Sequence, residues 1–139
     1  MRAWMIAGCV WAAACAMAWG RLGETAAQCD ARYGEPTSTE RMQGGADARV
    51  YEMDSLVIWV WMVEGRAAMM TYWAQAPFAD AEVLRMLEEN AQGERWASGG
   101  PQWERSDGGR AMLTGHDRML TIAGREWMAR PEAAEEWGE

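Results

Sequence analysis

Few residues of this chain could perform covalent or metal chemistry. The sequence contains three cysteines and one histidine. Cys9 and Cys15 fall in an apolar N-terminal stretch, which leaves Cys29 and the distant His116. A cysteine nucleophile needs an adjacent base, and a zinc site needs three or four ligands. We therefore predict no catalytic residue, no metal site and no cofactor, with Cys29 as a buried apolar residue on a helix. A Cys29–His116 centre is the enzymatic alternative.

Carboxylates offer a second route to catalysis. Paired Asp or Glu residues support glycoside hydrolysis. Four acidic residues lie near the ends of predicted strands: Glu52, Glu64, Glu104 and Asp107. Because the chain contains 21 acidic residues, chance alone would supply such neighbours, so a small hydrolase is only an alternative. The net charge of −8 at pH 7 predicts that the protein does not bind nucleic acid.

The N-terminal residues have the pattern of an export signal. Arg2 precedes an unbroken run of apolar and small residues from Ala3 to Trp19, and Ala16-Met17-Ala18 fits the small-x-small pattern before a signal-peptidase site. We expect residues 1–18 to be a signal peptide and the protein to be exported, either periplasmic or secreted. After cleavage no strong membrane association is expected. The alternative is a tether to the membrane, through lipidation of Cys15 or an uncleaved leader.

The most apolar stretch of the remaining chain, Leu56 to Trp73, predicts a β-hairpin with its turn at Glu64-Gly65. In this register Trp59, Trp61 and Tyr72 share one face, and both faces of the hairpin are apolar. The hairpin is therefore either covered on both sides or presents these three rings to a partner. Trp59, Trp61 and Tyr72 form the predicted interaction face, for an unknown protein, glycan or envelope component.

Helix and turn signals around this hairpin predict the fold class. A first helix over residues 24–33 ends at Gly34, and a second begins near Asp80 with an apolar stripe that includes Leu87. The predicted class is α+β, with an antiparallel sheet and two main helices. The elements follow the order helix, three strands, helix, three strands, and a short C-terminal helix ends the chain.

The predicted boundaries divide the chain after the leader into two parts. Residues 19–124 form a single α+β domain, and residues 125–139 form an acidic C-terminal tail. We expect this tail to be helical before Pro131 and frayed beyond it, because proline interrupts a helix and chain ends are poorly ordered.

Three motifs carry a resemblance to known proteins. They are Gln28-Cys29-x-x-Arg32-Tyr33-Gly34-x-Pro36, then Asn90-x-x-Gly93-x-x-Trp96, then Trp103-x-Arg105-x-Asp107-Gly108. Together they resemble a group of small exported bacterial proteins of unknown function. A helix ending in Tyr-Gly-x-Pro before a meander is also similar in topology to β-lactamase-inhibitor-protein-like folds and to small outer-membrane assembly lipoproteins. The resemblance implies a module that binds other proteins and catalyses nothing, and it assigns no functional residue.

These observations predict a small exported binding domain without catalytic activity. Its expected partner is an unknown protein or envelope component. The alternative is an envelope structural protein that oligomerises through the same apolar hairpin.

Overall fold

The computed structural model describes residues 21–138. The predicted signal peptide, residues 1–18, and the alternative lipidation site at Cys15 lie outside the described residues. The helices are α1 (Ala26–Tyr33), α2 (Asp80–Glu89), α3 (Arg125–Met128) and α4 (Pro131–Trp137). The strands are β1 (Ser38–Arg41), β2 (Ala46–Met53), β3 (Leu56–Val63), β4 (Arg66–Ala74), β5 (Trp96–Gly99), β6 (Gln102–Arg105), β7 (Arg110–Thr114) and β8 (Met119–Ala123). A 3-10 turn, Gln43–Gly45, precedes β2.

The strands form one antiparallel sheet in the order β1-β2-β3-β4-β8-β7-β6-β5. The antiparallel pairing and the presence of both helices and strands agree with the prediction, but the predicted order of elements is wrong. Four strands follow α1 and four follow α2, and the chain then forms two short helices instead of one. The strands missed, β1 and β5, are short edge strands with mostly exposed side chains. They lack the apolar alternation that identifies a strand in a sequence.

The main core lies between one face of the sheet and the helices α1 and α2. Helix α1 begins with a capping box, in which Thr25 and Gln28 each accept a hydrogen bond from the other's backbone N–H. Helix α2 turns the predicted apolar stripe inward. Its buried residues are Val83, Met86 and Leu87. These side chains pack with the inward residues of the central strands, which include Ile58, Val60, Met70, Tyr72, Leu120 and Ile122.

A β-bulge interrupts the pairing of β3 with β4. The predicted turn is present, and the register it sets holds as far as the pair Met62–Ala67. The next pair is Trp61–Met69, so Ala68 has no partner across the hairpin. Since successive side chains of a strand point to opposite faces, one extra residue exchanges the two faces of the rest of β4.

This exchange corrects the predicted interaction face. Tyr72 pairs with Ile58 and is fully buried on the helix side of the sheet, so the prediction that it shares a face with Trp59 and Trp61 is wrong. Trp73, which pairs with Val57, lies on the Trp59 face instead. Whether that face binds a partner stays a prediction.

Among residues 21–138, helices cover the second face of the sheet only at the end near the β3–β4 turn. There α3 and α4 enclose a smaller apolar cluster that includes Met69, Ala123, Trp127 and Ala133. The predicted frayed end beyond Pro131 is wrong. Pro131 is the first residue of α4, a position where its missing N–H breaks no hydrogen bond. The acidic tail is therefore part of the folded body up to Trp137.

Candidate functional site

The structure places Cys29 and His116 in different surroundings. Cys29 is fully buried in the main core, as predicted, whereas His116 is exposed in the turn between β7 and β8. Burial, with a contribution from the charges of Glu24 and Asp30, raises the pKa of the Cys29 thiol to about 11. The thiol therefore stays protonated at neutral pH, and the thiolate is the reactive form.

We expect Cys29 to resist alkylation until the protein unfolds. At pH 8 a thiol with a pKa near 11 is about one part in a thousand ionised, and the native fold also shields the sulfur. Iodoacetamide labelling of a Cys9→Ser/Cys15→Ser chain, followed by mass spectrometry, measures this rate with and without denaturant. If the native protein is labelled as fast as the denatured protein, the Cys29 thiol is not buried.

The four acidic residues near strand ends do not form one site. Glu52, Glu64 and Glu104 are exposed on different strands or turns, and Asp107 is paired with Arg105. Within residues 21–138, no cluster of three or more His, Cys, Asp or Glu side chains is arranged to hold a metal ion.

Two of the sequence motifs converge on Arg105. Its side chain is 1% exposed. The Nε and Nη2 atoms donate to the two carboxylate oxygens of Asp107 at 2.7 and 2.8 Å, and Nη1 donates to the Asn90 carbonyl at 2.9 Å and to Gln92 Oε1 at 2.8 Å. The guanidinium carbon lies 5.8 Å from the centre of the Trp96 ring. These motif residues therefore join the end of α2 to β6, which is a structural role.

Asp30, which lies between Cys29 and Arg32 of the first motif, also contributes to the fold. Asp30 of α1 accepts hydrogen bonds from Arg49 at 2.9 Å and from the Tyr51 hydroxyl at 2.7 Å, both on β2. Although partial desolvation opposes them, these bonds hold the pKa of Asp30 below its usual range. The resemblance suggested by the motifs stays a prediction, and the site must be sought on another surface.

The uncovered part of the second sheet face forms a groove of about 380 Å³, here called the open-face groove. Its floor includes Thr71 and Thr121, whose hydroxyl oxygens lie 3.1 Å apart and satisfy each other. Its size lies near the lower end of ligand pockets, which hold about 300–1,000 Å³.

Indole rings form most of the groove walls. Trp59 and Trp61 stack with ring centres 5.8 Å apart and an angle of 24° between their planes. Trp73 is 56% exposed, and Trp137 of α4 also lines the groove. The indole N–H of Trp137 is buried and has no acceptor among the described residues. The groove thus has flat, largely apolar walls.

One end of the groove adjoins an acidic hollow of about 450 Å³, which shares Trp61 and Glu136 with it. Three exposed carboxylates of α4 border the hollow: Glu132, Glu135 and Glu136. Its one cation, among the described lining residues, is Arg130, which is bound to the Gly44 carbonyl at 2.7 Å and lies 5.3 Å from the Trp127 ring centre. The walls are therefore aromatic and the border is negatively charged.

Comparisons with known proteins identify the fold and no family. No protein-family model and no curated protein matches the sequence. Among solved structures, the chain is similar to an extracellular protein containing an SCP domain from Bacillus anthracis, with a TM-score of 0.51 and 15% identity. It is also similar to a cysteine-rich secretory protein from Staphylococcus aureus, with a TM-score of 0.50 and 7% identity.

These similarities cover 80% of this chain, but only 46% and 47% of the two other proteins. The chain thus spans about half the length of each. At such low identity the likeness concerns the fold alone. Neither protein belongs to the groups that the sequence motifs suggested. In the part of the chain that the structure describes, no helix has the length and apolar character needed to cross a bilayer.

The sequence identified part of the groove. Trp59 and Trp61 were predicted from strand alternation, and they line it. Trp73 was missed because the bulge at Ala68 is not signalled by glycine or by a charge pattern. Trp137 was missed because its position depends on the packing of α4, although Pro131 followed by a short Ala- and Glu-rich segment is a recognisable helix start.

Proposed function

We propose that this protein is an exported, non-catalytic interaction module and that the open-face groove is its binding surface. The observation that carries the proposal is the exposed Trp73 beside Trp59 and Trp61, on the part of the sheet that neither pair of helices covers. Aromatic side chains contribute large contact areas at low entropic cost and dominate many protein interfaces. A patch of this kind on a soluble domain is typical of an interaction site.

Export is supported by two separate observations. Residues 1–18 have the charge, apolar run and small-x-small end of a signal peptide. The two similar structures are described as an extracellular and a secretory protein, which favours the same location for this fold. Membrane tethering through Cys15 is the alternative, and the mass of the mature protein distinguishes it from cleavage after Ala18.

Replacement of Trp73 by alanine is expected to abolish capture of a partner from envelope extract, because an aromatic side chain that becomes buried on binding can contribute about 2 kcal/mol or more. The matched control is Leu84→Ala, since Leu84 is 60% exposed but lies on α2. Quantitative mass spectrometry of the bound fractions measures the effect. Equal recovery of every protein by the two variants and the wild type would overturn the proposal.

Self-association through the groove is the alternative, because an exposed apolar surface can also pair with a second copy. The net charge of −8 opposes it, since copies of the chain repel each other. Sedimentation velocity of wild type and Trp73→Ala separates the two readings: a dimer that dissociates in the variant would favour an envelope structural protein.

A further inference from the structure

The charge next to the open-face groove points to the chemistry of its occupant. We propose that the groove binds an extended peptide segment of a partner protein in which an Arg or Lys lies among apolar residues. This inference rests on the proposed function and adds the partner's chemistry to it. The apolar side chains would contact the indole walls, and the cationic side chain would lie at the end bordered by Glu136.

Charge complementarity favours a cation at that end. Glu136 lines both the groove and the acidic hollow, and Glu132 and Glu135 border the hollow as well. No residue that lines the groove, among those the structure describes, is basic. Glu136 accepts a hydrogen bond from Trp127 Nε1 at 3.2 Å, which leaves further lone pairs for a donor from the partner.

The same face already holds a cation against an indole ring. The Arg130 guanidinium lies 5.3 Å from the Trp127 ring centre, with Glu132 3.5 Å away. A positive charge over a Trp face is stabilised by the ring quadrupole. Trp61, whose ring centre is 6.3 Å from that of Trp127, lies beside this pair and also lines the groove. An incoming Arg or Lys at the Glu136 end would therefore meet the same kinds of group, indole rings and a carboxylate.

The apolar walls beside a carboxylate favour a peptide as the carrier, because a polypeptide presents apolar and cationic side chains along one backbone. In an extended peptide successive residues lie about 3.3 Å apart, so apolar side chains would reach the walls while a cationic side chain reaches Glu136. A second copy of the chain fits less well, because its acidic helix would meet Glu136 with like charge.

Peptide selection on the immobilised full chain tests the inference. The probe is a phage-displayed library of random heptapeptides, selected on wild type with counter-selection against Trp73→Ala. We expect enrichment of sequences with at least one Arg or Lys between apolar residues. Enriched peptides that are apolar but carry no basic residue would overturn the inference and leave the proposed function standing. No Trp73-dependent enrichment would contradict both.

Charge variants give a quantitative test of the inference. For a synthetic enriched peptide, Glu136→Gln should weaken binding about three- to fivefold, as expected for a partly exposed ion pair, and the loss should shrink as salt rises. Glu88→Gln on α2 makes the same change in net charge away from the groove and should have no effect. Equal losses in the two variants would contradict a site at Glu136.

A chitin tetrasaccharide tests whether the ligand is a glycan. If it binds the wild type but not Trp73→Ala, and no peptide binds, the ligand is a glycan and the inference is overturned.

Discussion

Replacement of Arg105 by alanine is expected to lower the free energy of unfolding by about 3–5 kcal/mol, the usual cost of removing one partner from a buried ion pair. The change leaves the Asp107 carboxylate, which is 17% exposed, without its counter-charge. It also removes the donor to the Asn90 carbonyl and to Gln92. Three groups that bind one guanidinium would thus lose it together.

The surroundings of Arg105 are tightly packed and specific to a guanidinium. A Cβ added at Gly109 would lie 2.8 Å from Arg105 Nε and 3.0 Å from the Ala123 carbonyl oxygen. The planar guanidinium of Arg105 donates to both carboxylate oxygens of Asp107 at once. The ammonium group of Lys does not form this bidentate pair. We therefore expect Arg105→Lys to recover only part of the stability.

Chemical denaturation measures the effect, with Arg41→Ala as the matched control. Arg41 also forms an ion pair, with Asp47 at 3.5 Å, but its side chain is 87% exposed, so its removal should change stability little. The double variant Arg105→Ala/Asp107→Ala should be more stable than Arg105→Ala, because it removes the uncompensated charge. Similar denaturation midpoints for Arg105→Ala and Arg41→Ala would show that the buried contacts of Arg105 do not stabilise the fold.

Because of this ion pair, the loss of stability caused by Arg105→Ala should depend on pH. The hydrogen bonds from Arg105 are the main reason that the pKa of Asp107 lies below its usual value in the folded protein. A carboxylate with a lowered folded pKa contributes stability above its unfolded pKa, near 3.9, and this contribution is lost as pH falls through the folded value. The difference in free energy of unfolding between wild type and Arg105→Ala should therefore become smaller at acidic pH.

The sequence was informative where short-range patterns decide the structure. The apolar stripe of α2 and the turn at Glu64-Gly65 follow from local sequence patterns, and the burial of Cys29 follows from the behaviour of a lone cysteine as a small apolar residue. All three are present. Such signals are local. They depend on residues within about two turns of a helix or along one strand.

Features that depend on distant contacts were not predictable in this way. Arg105 meets Asn90 across a 15-residue separation, and nothing in the spacing of the two motifs requires that contact. The bulge at Ala68 moves Tyr72 from one face to the other, although Ala in a strand carries no bulge signal. The groove lies beside the part of the face that α3 and α4 cover, and this packing is visible only in the folded structure.

A second large loss of stability is expected when a substitution introduces a charged side chain into the core beneath α2. Leu87→Asp should lower the free energy of unfolding by more than about 4 kcal/mol, because it removes a buried aliphatic side chain and places an unpaired carboxylate among apolar groups. Leu87 is 2% exposed and packs against the inward face of the sheet. The aspartate would have no cation to pair with in that cluster.

Leu84→Asp is the matched control, since it makes the same substitution three residues earlier on the same helix. Leu84 is 60% exposed, so the change should stay within about 0.5 kcal/mol. Glu88→Ala, on the exposed side, should be similarly mild. Thermal melts followed by circular dichroism compare the three variants. Equal midpoints for Leu84→Asp and Leu87→Asp would mean that α2 does not pack through its predicted stripe, and the main core would then need a different helix orientation.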